Sequence, residues 1–137
     1  MLSTIELEKY IKKEISDRLG KVNWREINFK EGNENSNEGT YIFVQNREYH
    51  ILYTEKGKVR EDRVTSEKEE VLWAVMDIIS FDIAMEHAIK NKEGGRDFRR
   101  ELFKKEIEIF ALFGIKFEKK KRQEIEEILK KNPYNDI

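Results

Sequence analysis

The sequence has no cysteine, a single proline and only two histidines in 137 residues. Without cysteine, disulfide scaffolds, thiolate nucleophiles and cysteine-based zinc sites are excluded, and His50 and His87 are the only imidazoles. They fall on different predicted elements, a strand and a helix, with no acid cluster at ligand spacing. No metal or cofactor site is therefore expected, and both read as ordinary polar or half-buried side chains. A long apolar run is missing too. The N-terminal "MLSTIELEKYIKKEI" interrupts its apolar residues with charges, which suits neither a signal peptide nor a membrane span. The expectation is a cytoplasmic protein with no membrane partner. Charge of one sign is also lacking: 27 basic and 28 acidic side chains leave a formal net charge of −1. The total gives no argument for nucleic acid or an anionic surface, so the distribution has to be read instead.

What is present is a chain of one-domain length, residues 1–137, with 38% apolar residues for a modest core. Ser3 followed by Glu6 is a capping-box pattern, and Ile5, Leu7, Ile11, Ile15 and Leu19 keep helical spacing up to Gly20. After a stretch carrying Trp24, Ile27 and Phe29 comes "EGNENSNEG", residues 31–39, which has no basic residue. It reads as an exposed, mobile acidic loop. From Thr40 the period becomes two: "TYIFVQN", "EYHILYTEKG" and "KVREDRVT" read as three antiparallel strands with turns at Asn46-Arg47 and Lys56-Gly57. The charge on the third suits an exposed edge, where it discourages pairing with another chain.

Ser66 and Glu69 form a second capping box before a helix over about Glu67–Lys92, apolar almost all round at its centre. Gly94-Gly95 breaks it, Asp97 can cap a third helix, and a last one spans about Glu118–Lys131 before Pro133. The fold class is α+β: an N-terminal helix, a three-stranded antiparallel meander, then three packed helices.

Projected at about 100° per residue, Arg99 falls within the apolar arc of Leu102, Phe103, Phe110 and Phe113, with Arg100 nearer its edge. A guanidinium cannot lose its proton to escape a dry site, so Arg99 must meet carboxylates or carbonyls. Asp82 and Glu86, spaced i, i+4 on the preceding helix, are the expected partners. As a general acid and base the two would need pKa values held apart, but neighbouring guanidiniums would keep both ionised. A structural ion-pair cluster of Asp82, Glu86, Arg99 and Arg100 is therefore expected in place of a catalytic site.

Acids are unevenly spread. Residues 67–89 hold Glu67, Glu69, Glu70, Asp77, Asp82 and Glu86 against Lys68 alone, and residues 31–38 hold Glu31, Glu34 and Glu38 with no base. Asp77, projecting away from Asp82, is the central-helix acid expected to reach solvent. The run Lys119, Lys120, Lys121, Arg122 could give a weak contact with phosphates. Consecutive helical residues point in different directions, however, and Glu124, Glu126 and Glu127 follow, so a solvated face is the plainer reading. A small nucleic-acid-binding module using this helix is the alternative, and it requires salt-sensitive retention of RNA or DNA.

The order "YHILYTEKG", "VTSEKEEVLWAVM", "FDIAMEH", "RDFRRELFKKEIEIF" and "NPYNDI" resembles the bacterial polymorphic-toxin immunity proteins of the immunity protein 63 family, over roughly residues 40–137. The most specific part is Asp97, Phe98, Arg99, Arg100 and Phe103, supported by Glu55, Gly57, Ala84, Glu86, Pro133 and Asp136. The resemblance implies a noncatalytic antitoxin that neutralises a cognate toxin C-terminal domain by protein–protein contact. Its toxin-facing surface is then expected at Glu31, Glu34 and Glu38, with Asp77 in addition, because exposed acids steer toward basic clefts. A homodimer through the exposed strand edge or apolar helix surfaces is a further possibility.

Overall fold

Ser3 opens the first helix as the capping-box pattern predicts. In the computed structural model, which describes residues 1–137, the Ser3 Oγ accepts from the Glu6 amide at 3.2 Å and the Glu6 carboxylate accepts from the Ser3 amide at 2.9 Å. Helix α1 (Thr4–Leu19) ends where Gly20 takes a positive φ, and its i, i+4 row Leu7, Ile11 and Ile15 is fully buried.

Four strands follow: β1 (Ile27–Asn28), β2 (Gly39–Gln45), β3 (Glu48–Glu55) and β4 (Lys58–Thr65), in the order β1-β2-β3-β4. The three expected strands pair antiparallel. Both hairpin turns put their two central residues at positive φ, Asn46 and Arg47 at 53° and 59°, Lys56 and Gly57 at 53° and 74°, which matches the twist of the flanking strands. The sheet is nevertheless mixed and four-stranded, because β1 pairs parallel with β2, Ile27 opposite Thr40. Two residues are too few to show a period, so the sequence pattern did not reveal β1.

The 31–38 segment is also stitched down, contrary to the mobile loop expected. The Asn35 amide donates to the Gly57 carbonyl at 2.8 Å, and the Tyr41 and Thr54 hydroxyls both donate to the Asn37 carbonyl, at 2.8 and 2.6 Å. The segment lies against the sheet face that carries the buried cluster of Tyr41, Phe43 and Leu52. Gly32 shows how closely: a Cβ there would fall 2.5 Å from Tyr41 Cγ. Gly32→Ala is accordingly expected to cost about 1–3 kcal/mol through overpacking, read as a lower midpoint in chemical denaturation. An unchanged midpoint would mean the segment does not rest on that ring.

By its internal contacts the chain divides into two compact units, Met1–Asp77 and Ile78–Ile137, and α2 (Lys68–Lys90) runs through the division. In its first half every residue from Val71 to Met76 is buried, as an all-round apolar sequence requires. Beyond the division the helix is two-faced, with Ser80, Ala84 and Ala88 buried while Phe81 and Ile89 are exposed. The second unit adds α3 (Arg99–Ala111) and α4 (Ile115–Lys131). Its core is Ala84, Ala88, Leu102, Phe103 and Ile125, with Ile107, Leu129 and Tyr134 packed against it. No helix is long and apolar enough to cross a membrane.

Candidate functional site

Asp97 is the hub of the arginine motif. Its Oδ1 accepts the Arg99 amide at 3.0 Å, capping α3 as the sequence suggests, and both carboxylate oxygens accept from the Arg99 guanidinium, the shortest bond being 2.8 Å from Nη2. The remaining Arg99 donors run to the chain end: Nη1 to the Asn132 carbonyl at 2.9 Å and Nη2 to the Pro133 carbonyl at 2.8 Å. Arg100 grips Asp136 through Nε and Nη2 at 3.1 and 2.7 Å. The Asn135 amide returns to Asp97, the Asp97 amide to Asp136, and the Ile137 amide to the Gly95 carbonyl. Tyr134 lies beneath, 4.1 Å from the Arg100 guanidinium carbon to its ring centre, a stacked cation–π contact. Residues 132–137 are thus a strap folded over the start of α3. At Gly95, φ is +82° and a Cβ would sit 3.0 Å from the Ile137 carbonyl oxygen, so a side chain would press on the strap.

The electrostatics follow this geometry. The Arg99 guanidinium, with the Asn135 and Arg99 amides, holds the Asp97 carboxyl far below the usual carboxylate range. Asp136 is lowered by Arg100 and the Asp97 amide, and both guanidiniums are held more firmly protonated by their acids.

These partners correct the expected cluster. Arg99 is largely buried, as its helical position implies, with 16% of its side chain exposed, but neither arginine meets Asp82 or Glu86. Both acids are exposed, and Glu86 pairs with Lys90 of its own helix at 3.0 Å. The reason is rotational: Ser80, Ala84 and Ala88 form the buried face of this half of α2, and Asp82 and Glu86 lie roughly 160° around the helix from it. Small residues, Ser80, Ala84 and Ala88, mark the face that packs. The polar link that joins α2 to α3 runs in the opposite sense, a hydrogen bond between His87 Nε2 and Glu101 Oε2 at 3.0 Å, and it lowers the Glu101 pKa. His50 likewise has an acid, with Nδ1 3.2 Å from Asp62 and its ring stacked on Phe43.

Sequence reasoning missed the most buried charges. Lys121 (3% exposed) meets Glu106 (6% exposed) at 3.3 Å and Glu124 at 2.9 Å, with its Nζ 4.8 Å from the Phe110 ring centre. A signal existed: Glu106 continues the Leu102–Phe103–Ile109–Phe110 stripe, and Lys121 lies one turn before Ile125. Lys121 therefore leaves the run of four cations on α4, and Arg122 is taken up by Glu118.

Glu31, Glu34 and Glu38 are exposed as expected, but two of them also tie the segment down: Glu31 accepts from Gln45 Nε2 at 3.1 Å and Glu34 from the Val59 amide at 3.3 Å. Asp77 is only half-exposed.

Among known families, the model for immunity protein 63 matches residues 45–127. This range runs from the end of β2 through most of α4 and includes Asp97, Arg99 and Arg100, while Asp136 and residues 31–38 lie outside it. No curated protein and no solved structure gives a significant match.

Proposed function

Because the chain belongs to the immunity protein 63 family, we propose that it is the antitoxin of a bacterial polymorphic toxin system. It binds the C-terminal domain of a cognate toxin by direct protein–protein contact, as in contact-dependent inhibition, and catalyses no reaction itself. It acts as a single immunity domain in the cytoplasm. The family match over residues 45–127 carries this reading. The arrangement of the arginines supports it, since each guanidinium is engaged by a carboxylate of its own unit and serves architecture.

The toxin-facing surface includes Glu31, Glu34 and Glu38, with Asp77 beside them in function. Exposed carboxylates on a segment held in place favour encounter with a basic cleft and lose little entropy when they dock. The test is coexpression with the C-terminal domain encoded immediately upstream: copurification and growth rescue are expected, and undiminished toxicity without a complex would refute the reading. Replacing the three glutamates by glutamine keeps their acceptor oxygens. It is expected to slow association and to flatten its dependence on salt. Unchanged association kinetics at low ionic strength would remove this segment from the interface.

A further inference from the structure

The sheet ends on β4, whose only hydrogen-bonded neighbour is β3. From Arg60 to Thr65, then, one row of backbone N–H and C=O groups faces outward with no strand beside it, while at the start of β4 the Val59 amide is taken by Glu34 Oε1. The side chains there are mostly exposed, Val64 at 44%. Their charges behave unlike those of the helices. Lys13, Arg18, Lys90, Arg122 and Lys130 each find an acid three or four residues away. On β4, Arg60, Glu61 and Arg63 have no ion-pair partner, and Asp62 meets only His50. The register fixes where they project: Glu61 and Arg63 lie opposite Tyr53 and Ile51 on one face, Asp62 and Val64 opposite Leu52 and His50 on the other.

We propose that the β4 edge receives an extended segment of the toxin domain as an added strand, one that places a cationic side chain against Glu61 and an acidic one against Arg63. The inference rests on the antitoxin reading above. Main-chain hydrogen bonds along such an edge supply affinity, and the alternating charges supply selection. The same alternation repels a strand of mismatched charge and leaves its charges desolvated and unpaired against an uncharged one, which is how an unprotected edge escapes promiscuous pairing. A second copy of this chain fits less well. Two-fold antiparallel pairing of β4 with itself sets one residue against its own image. The register that matches Glu61 with Arg63 twice puts Asp62 against Asp62, and the register one residue back puts Glu61 against Glu61. A strand from another protein can carry a cation at that point.

The test uses the full chain with the C-terminal domain encoded immediately upstream, and compares Glu61→Arg, Arg63→Glu and the double exchange. Both sites are on the surface strand, and circular dichroism with a melting curve confirms that each variant folds. Amides within residues 58–65 are expected to gain hydrogen-exchange protection in the complex. Each single reversal is expected to weaken Kd by roughly tenfold or more, since like charges brought together at an interface are strongly disfavoured. The double exchange leaves net charge and long-range steering unchanged, so its expected loss of affinity reports recognition of the pattern. A complex with unchanged Kd in all three variants and no protection at 58–65 would overturn the edge assignment while leaving the antitoxin reading intact. Absence of any complex with the unaltered chain would overturn both. Concentration-dependent protection of the same amides in the isolated protein would assign the edge to a second copy and overturn the proposal.

Discussion

Lys121→Ala is expected to lower stability by about 3–5 kcal/mol, the usual consequence of removing one member of a buried ion pair. The cause is the charge left behind: Glu106 is 6% exposed and would lose the ammonium 3.3 Å away. For a chain of this length the loss corresponds to a fall of roughly 10–20 °C in Tm. Calorimetry of the purified variant checks it, and a shift of about a degree would show that the pair is not buried in solution. Because much of the cost is the stranded charge, replacing both partners with apolar residues of similar volume, Lys121→Met with Glu106→Leu, is expected to recover most of the stability. If the double variant is no more stable than the single one, repacking around Phe110, and not the charge pairing lost by Glu106, is the origin of the loss.

The second large effect belongs to the C-terminal strap. Arg99→Ala removes the donors to Asp97, Asn132 and Pro133 together, and is expected to lower Tm by several degrees and to free the amides of Asn135 and Ile137 for exchange. Arg99→Lys should restore only part of this, because an ammonium cannot reproduce the planar fork that spans a carboxylate and two carbonyls. Unaltered exchange at Asn135 in Arg99→Ala would mean that Tyr134 and Arg100 hold the strap without it. The pH dependence has a definite sign. Asp97 and Asp136 have lowered pKa values when folded, so their contribution is fully present above the ordinary carboxylate range near pH 4 and fades as pH falls through the folded values. The strap is expected to hold unchanged from pH 7 to about 5 and to loosen only in more acidic solution. Loosening between pH 7 and 5 would show that the pairs of Asp97 and Asp136 do not govern it.

The same cluster shows how far sequence reading goes. The position of Arg99 within an apolar arc implies burial and a need for acceptors, and both are found. The full set of acceptors was not legible: the Asn132 and Pro133 carbonyls that meet Arg99, and the Asp136 that meets Arg100, lie more than thirty residues away along the chain, and Asp97, two residues before Arg99, was read only as a helix cap. Asp82 and Glu86 were the acids the preceding helix offered, and a rotation of α2 by half a turn, signalled only by Ser80, Ala84 and Ala88, put them on the outside. The acidic segment was legible as exposed and charged, but its attachment to Gly57 and Tyr41 depends on a hairpin tip and a sheet face that no local pattern describes.

By itself, then, the sequence determined what is settled within a few residues of any point: the capped start of α1, the two hairpin turns, the extended β2 and β3, and the break at Gly94-Gly95. Those features follow from backbone sterics and from side-chain periods of 2 and 3.6, which act locally. Only the tertiary structure decided the rest: that β1 adds a parallel strand, that Lys121 turns inward to Glu106, and that the last six residues strap the start of α3. Each of these depends on which distant surfaces meet, where burial and electrostatic pairing, and not local conformation, select the arrangement.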